Sequence, residues 1–525
     1  MEDVMDSFIV APKNIQSSPV ADLALEMRFD LEPHQKDLVK KLVLEAEQDM
    51  AHFEYNVRCI RENLVNYITQ HKALLTPVSR LPVDILSNIF ILLASTARNT
   101  VFDLESPPWV FTHVCRRWRN LARSTPELWS YVTVKDQQIG LADPYTLSSD
   151  RMAEEYFRLS KGAPLYIELG SRRNGEYSDS VLTDTALEYL AAHSMRWKTF
   201  KARLSLSDIA HLSITLPILE SIDLVSDSEF DDEYPEKVRT FRDAPRLVKA
   251  SLSELPPTTV VHLPKSLTSI SFKDMPMNQI MSHLRGITHS LVSCEIRELD
   301  GPAPSKLISL RLPRLQSLWI SFAHDFSLGA MKQHTRRFIG CLTLPALTEL
   351  HVSGSVTLDV QIFTDLIRRS SCSIRSLLFE CGDMFKLLRY SPNVTHLLLT
   401  QKTLERGGLK PLGYSSGDKK FILPKLDTLE IYATGFTEAK FKGVVQTIKS
   451  RFATNPQLQV FIRLGHQRTR SSETGMKEQD MKNQLRKATG RGLRTQFILP
   501  RPEPDDESDW DSESEDEYYL YEDSS

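Results

Sequence analysis

The sequence predicts a multidomain α+β chain: a long N-terminal helix, a small all-helical unit, an irregular α/β region built of repeats, and a disordered acidic tail. Three observations carry this prediction. Apolar residues recur with a heptad period between Val39 and Leu74, large side chains crowd residues 78–131, and one short phrase of proline and leucine returns throughout the second half. At roughly 100–200 residues per domain, 525 residues allow three or so structural units.

Residues 1–30 show no sustained period and contain Pro12, Ser17, Ser18 and Pro19, which predicts a disordered arm. The heptad seam then runs through Val39, Val43, Ala46, Met50, Phe53, Val57, Ile60, Leu64 and Tyr67, lapses at His71 and resumes at Leu74. Such spacing places one apolar stripe along a helix over residues 31–75. The helix is expected to stop near Leu75, because Pro77 lacks a backbone donor and biases Thr76 away from helical geometry. Dimerisation through 39–74, packing against the next domain and binding of a partner helix are the three uses open to the stripe.

Residues 76–133 contain Leu81-Pro82-Val83-Asp84-Ile85-Leu86-Ser87-Asn88-Ile89-Phe90, then Val114-Cys115-Arg116-Arg117-Trp118-Arg119-Asn120-Leu121-Ala122, and later Pro126-Glu127-Leu128-Trp129. They predict three short helices, apolar on more than one side, with Pro82 suited to a first helical turn. A unit this small cannot bury so much apolar surface by itself, so part of it is expected to face a partner or the following domain.

This string resembles an F-box, and with the preceding helix it is similar to the version common in mushroom-type fungi. The match covers about 55 of the 525 positions. It implies docking on the Skp-family linker of a cullin–RING ubiquitin ligase through Leu81, Pro82, Ile85, Leu86, Ile89 and Phe90. Val114, Trp118, Leu121 and Trp129 would complete the helical unit and part of its contact. Cys115 is expected in the core of that unit.

A linking region, 134–195, predicts a helix over Met152 to Ser160 and a strand over Pro164 to Leu169. In residues 196–465 the phrase Pro-x-Leu-x-x-Leu-x-Leu opens at Pro217, Pro245, Pro313, Pro345, Pro392 and Pro424, with proline-free versions from Leu267, Leu291 and Ile374. Its first leucine-type positions are 219, 247, 267, 291, 315, 347, 374, 394 and 426, at steps of 20 to 32 residues. The region resembles leucine-rich repeats, each a strand plus a returning segment. The Asn that usually ladders the turn after each strand is replaced by Asp227, Leu255, Met275, Leu299 and Ala323. An ordinary α/β domain whose strands open with Pro-x-Leu remains the alternative.

In a repeat array, alternate strand residues line one shared face. Its central row would be Asp223, Ser251, Ser271, Glu295, Trp319, His351, Leu378, Leu398 and Glu430. Trp319, Leu378 and Leu398 are large apolar groups where solvent is expected, so these three with His351 are the candidates for binding a protein substrate.

The net charge of -4 hides an asymmetry: residues 501–525 carry twelve Asp or Glu against Arg501, a net of -11, which leaves +7 on residues 1–500. The tail, 466–525, is basic over 466–495 and then acidic, and like-charge blocks predict disorder. The basic stretch could meet nucleic acid, yet it has no interleaved aromatics for base stacking and sits beside twelve carboxylates. Ser508, Ser512 and Ser514 each precede an acidic residue by three positions and are candidates for phosphorylation.

No phosphate-binding loop, nucleophile elbow or His-Glu-x-x-His pair occurs, so a catalytic role, a metal or a cofactor is not expected. The six cysteines are scattered without a C-x-x-C pair and read as reduced thiols, mostly buried. The longest apolar run, Ile89 to Ala94, is far short of a membrane span, and the chain is expected in the cytoplasm or nucleus. The expected function is that of a non-catalytic, substrate-recognising adaptor of a Skp–cullin–F-box ubiquitin ligase. A non-degradative repeat scaffold and a nucleic-acid-associated factor using residues 466–495 are the alternatives.

Overall fold

A computed structural model describes residues 31–75, 77–96, 101, 103–135, 146–170, 189–226, 235–299, 301, 308–322, 328–354, 357–407, 409, 412–413, 422–433, 436, 438–464, 478–489 and 494–498. The disordered arm expected over 1–30 and the acidic tail with Ser508, Ser512 and Ser514 lie outside the described residues. The chain divides into two compact units, Met1–Ile89 and Phe90–Ser525.

The first unit contains helix α1 (Pro33–Leu75), a 3-10 turn (Pro77–Arg80) and the start of helix α2 (Val83–Thr96). Pro33 occupies the first helical position, where its missing N–H costs nothing. The Gln35 side chain reaches back to accept the Glu32 N–H at 3.1 Å, half of a capping box. α1 ends at Leu75, two residues before Pro77.

The second unit continues α2 and adds α3 (Trp109–Val114), α4 (Arg116–Ser124) and a 3-10 turn at Pro126–Trp129. A sheet follows, interleaved with α5 (Thr146–Ser160), α6 (Leu206–His211), α7 (Met277–Gly286), α8 (Leu328–Cys341), α9 (Gln361–Ser370), α10 (Met384–Leu388), α11 (Gln401–Gly407), α12 (Glu438–Thr454) and α13 (Glu478–Thr489). The first strands are β1 (Tyr131–Lys135), β2 (Leu165–Gly170), β3 (Trp197–Leu204), β4 (Ser221–Ser226), β6 (Lys249–Ser253), β8 (Ser269–Lys273) and β9 (Ser293–Leu299). The rest are β11 (Ser317–Phe322), β13 (Glu349–Ser353), β14 (Ser376–Phe379), β15 (His396–Thr400), β16 (Thr428–Ala433), β17 (Gln459–Leu464) and β18 (Arg494–Ile498). These fourteen strands lie side by side in chain order, every neighbour parallel. Two short pairs, β5 (Lys237–Val238) with β7 (Val260–Val261) and β10 (Leu310–Arg311) with β12 (Leu342–Thr343), stand apart from it.

The recurring phrase has a local cause. Pro313 follows Leu312, whose carbonyl accepts the Leu315 N–H, and the same turn forms from Ala244 to Leu247, Leu344 to Leu347, Ser391 to Val394 and Leu423 to Leu426. Proline is preset for the second position of such a turn, and the fourth position then points inward. All nine leading positions of the phrase are buried, from Leu219 to Leu426. Just beyond each turn, one carbonyl accepts two successive N–H groups of the next strand: Val248 takes Thr268 and Ser269, Thr268 takes Val292 and Ser293, Gln316 takes Thr348 and Glu349. Backbone alone therefore ties each strand to its predecessor.

The places of the missing Asn ladder are filled differently. Leu255, Met275 and Leu299 are core residues, and the preceding Glu254, Asp274 and Glu298 adopt left-handed φ of 54 to 56°. Their N–H groups donate to the Lys273 carbonyl, the Arg297 carbonyl and the Ser321 hydroxyl. Three arginines hold other backbone carbonyls: Arg196 those of Ser160 and Ala163, Arg369 those of Ile339 and Leu342, Arg451 those of Leu412, Ile422 and Leu423.

Two boundaries differ from expectation. The sheet starts at Tyr131, inside the stretch assigned to the helical unit, and β2, in the stretch assigned as a linker, pairs with both β1 and β3. It also runs past 465, where disorder was expected: α13 buries Met481 and Leu485, four residues apart, and β18 pairs with β17. The basic residues there occupy the other faces of α13, which masked its short apolar stripe.

No helix among the described residues is long and apolar enough to cross a membrane.

Candidate functional site

Two surfaces carry the residues singled out above. On α2 the apolar residues split into two stripes by helical spacing. Leu86, Phe90 and Ala94 recur every four residues and are each 1% exposed, whereas Ile85, Ile89, Leu92 and Leu93 stay 40 to 63% exposed. Leu81 is half-buried and Pro82 exposed.

Within the second unit, the Phe90 ring stacks on Phe111 with centroids 4.1 Å apart and meets Trp118 edge-on at 4.7 Å. Trp129 is fully buried, donates its indole N–H to the Ala122 carbonyl at 2.8 Å and packs edge-on against Trp109 and Tyr156. The Tyr156 hydroxyl in turn donates to the Tyr131 carbonyl at 2.5 Å, which fastens α5 to the first strand. Leu86, Phe90, Leu121 and Trp129 are thus interior residues. Pro82, Ile85, Ile89 and Val114 are exposed, and Leu81 and Trp118 half-buried.

Cys115 also departs from expectation. It is exposed and extended between α3 and α4, and its Sγ accepts the Trp118 N–H at 3.5 Å as the cap of α4. Capping needs the side chain at the helix end, which here lies at the surface. Cys294 is buried, and burial with the nearby Glu295 charge pushes its thiol up to about 12, so it stays protonated.

The second surface is one face of the sheet. Strand register places Thr133, Glu168, Lys201, Asp223, Ser251, Ser271, Glu295, Trp319, His351, Leu378, Leu398, Glu430 and Phe461 in a single row. The strands alternate, with Leu318, Ile320, Leu350 and Val352 buried on the opposite side.

Character changes along the row. Through β9 it is charged and self-paired: Lys201 with Glu168 at 3.0 Å, Arg297 with Glu295 at 2.8 Å, and beside them Arg203 with Glu254 at 3.4 Å. From β11 it turns aromatic and apolar. Trp319 is 41% exposed and meets the His351 ring edge-on, with centroids 4.8 Å apart. His351 Nε2 lies 3.3 Å from the Ser376 hydroxyl, and burial holds its imidazole below the ordinary histidine range.

Leu378 and Leu398, expected in solvent, are only 6% and 8% exposed. They sit next to each other between His351 and Glu430, and parallel strands about 4.8 Å apart let such neighbours cover one another. Trp319 is larger and stands above its row.

The face closes on a polar group that lies partly outside the central row. Glu430 accepts hydrogen bonds from the Tyr432 hydroxyl at 3.0 Å and from Arg463, and His396 Nε2 lies 3.2 Å from its other oxygen. Burial pushes the Glu430 carboxyl up, but the bonds from Arg463 and Tyr432 outweigh it, and the net shift is downward. The Arg463 guanidinium also lies over the Tyr432 ring, 5.3 Å from its centroid. His396, Tyr432 and Arg463 were not among the sequence candidates. Each lies two positions from a row residue, at 398, 430 and 461, so period-two spacing was the available signal.

Glu430 is a charged acceptor with three partners, and no group of three His, Cys, Asp or Glu among the described residues is placed to hold a metal. A cavity of about 270 Å³ in the large unit, lined by Leu212, Ile214, Arg239, Thr240 and Asp243, is smaller than a usual ligand site.

Compared with models of known protein families and with curated proteins, the chain matches none of them.

Proposed function

We propose that the chain is a substrate-recognition adaptor of a ubiquitin ligase, with residues 76–133 acting as an F-box that docks on a Skp-family linker and the parallel sheet acting as a leucine-rich-repeat-like domain that binds a protein. One observation carries the reading: α2 is apolar on two stripes, and only the Leu86, Phe90, Ala94 stripe is buried. The other, Ile85, Ile89, Leu92 and Leu93, is a helix face of the kind that lies in a partner's groove. Covering it removes apolar surface from water at about 25 cal/mol per Å². The chain-ordered parallel strands and their proline turns support the repeat reading, and the aromatic stretch from Trp319 to Phe461 supports a binding role for their common face.

The test is co-expression of the full chain with a Skp-family linker, followed by size-exclusion chromatography with light scattering. A complex with one linker per chain is expected, lost in Ile85→Asp with Ile89→Asp while the far-ultraviolet circular dichroism stays unchanged. A wild-type chain that elutes without the linker would sink the adaptor reading and leave a repeat scaffold.

A further inference from the structure

We propose that α1 is the strand of an antiparallel two-helix coiled coil with a second copy of this chain. α1 is one uninterrupted helix of 43 residues, and Val43, Met50, Phe53, Val57, Leu64 and Tyr67 on its seam are 43 to 58% exposed. The seam repeats every 3.5 residues through five heptads. A straight helix drifts by about 20° per heptad against such a repeat, so the stripe winds through roughly 100° over this length. A flat surface cannot follow that path, whereas a second helix supercoiling around it can.

The flanking charges select the direction. With Val43, Met50, Val57 and Leu64 at the a positions, Asp49 falls at g and Glu47, Glu54 and Arg61 at e. A parallel pair would set Asp49 against the partner's Glu54, and the symmetry would repeat that repulsion. An antiparallel pair aligned over residues 35–75 sets Glu47 against the partner's Arg61, twice, and leaves one like-charge contact, Glu54 with the partner's Glu54. Interhelical e and g charges are what decide partner orientation in such pairs. The same alignment pairs large with small: Leu64 faces the partner's Ala46, Tyr67 faces the partner's Val43, and Val57 faces the partner's Phe53. The remaining central layer sets the flexible Met50 against the partner's Ile60, where an unbranched side chain can adapt to its neighbour.

The experiment uses the full-length chain and sedimentation equilibrium. A dimer is expected at micromolar concentration. Arg61→Glu turns both attractive contacts into repulsions and is expected to raise the dissociation constant roughly tenfold or more, and Glu47→Lys added to it restores the dimer. In a parallel pair Arg61 would face the partner's Asn56, and neither change would matter. Direction is read independently by thiol crosslinking against the wild type: Asn56→Cys, beside the antiparallel axis, is expected to crosslink, and Met50→Cys is not. A monomer at tens of micromolar, crosslinking through Met50→Cys, or an Arg61→Glu protein that dimerises as well as wild type would each overturn the proposal.

Discussion

The Trp319 indole stands edge-on to the His351 imidazole, on strands that pair residue for residue, with ring centroids 4.8 Å apart and planes at 62°. This contact is where the sheet face changes its nature. On one side Glu168, Lys201, Glu295 and Arg297 satisfy one another as exposed ion pairs, which contribute little to stability or to specific binding. On the other, Leu378 and Leu398 form an apolar floor that meets the carboxylate of Glu430, with Phe461 beyond it. A half-exposed tryptophan at the edge of an apolar floor has the composition of a binding hot spot.

Trp319→Ala is therefore expected to weaken client binding by about 2 kcal/mol or more while moving the melting temperature little. Leu398→Ala, at a residue 8% exposed, is expected to cost about 2–4 kcal/mol of folding stability. Urea denaturation of both variants, beside a pull-down of clients with the wild-type chain as reference, separates the roles. If Trp319→Ala were the more destabilising of the two, the indole would be part of the core and not of a contact surface.

How much of this was legible in the sequence follows from which interactions are local. The proline turn from Leu312 to Leu315, and its copies, is fixed within four residues, so the phrase marked strands and aligned Trp319 with His351 from spacing alone. Burial of Leu378 and Leu398 depends on what stands on the next strands, 20 to 32 residues away, and no local rule supplies it. β1 and β2 lack the phrase, so Tyr131 to Lys135 was read with the helical unit, and the strand expected from Pro164 to Leu169 was not joined to the repeats. On α2, helical periodicity announced an apolar helix but could not say which of two apolar stripes would turn inward.

Glu430 is expected to set the acid limit of stability at this end of the sheet face. Its carboxyl titrates below the ordinary range because Arg463 and Tyr432 donate to the charged form more than burial disfavours it. A depressed folded value means that the unfolded chain takes up the proton first, so this contribution is complete above the unfolded carboxylate value of about 4.3 and is lost as pH falls through the folded one. Glu430→Gln is expected to cost about 1–3 kcal/mol at neutral pH and to flatten the acid limb of the stability curve. A variant with an unchanged acid limb would show that other carboxylates set it.

His283 predicts a second, higher pH window. Its Nε2 accepts the Val261 N–H at 3.1 Å and its Nδ1 lies 2.9 Å from the Gln279 carbonyl, so the neutral ring with the proton on Nδ1 fits both partners. Burial, with the nearby His262, lowers its affinity for a second proton. The unfolded chain then binds more protons just below pH 6.5, and stability is expected to fall as pH drops from about 6.5 toward the depressed folded value. His283→Gln keeps one acceptor and one donor but cannot titrate. Its urea midpoint should be lower than wild type at pH 7.5 and less sensitive to acidification to pH 5.5, and a pH dependence equal to wild type would assign that window to another group.

Arg451 closes the C-terminal end of the sheet by a different logic. Only 4% exposed, it donates to the carbonyls of Leu412, Leu423 and Ile422, all in the loop that precedes β16. Burial lowers its guanidinium to about 10, still well above neutral, so the charge persists and is held by carbonyl dipoles. A lysine at this place has one nitrogen and cannot span three carbonyls set around a planar fork. Arg451→Lys is expected to cost about 2–4 kcal/mol, because carbonyls lose their donor in a buried site, and Arg451→Met at least as much. Amide hydrogen exchange should place the loss in β16, β17 and α12 while β4 to β9 keep their protection. Uniform loss of protection across all fourteen strands would instead show that the sheet unfolds as one cooperative unit.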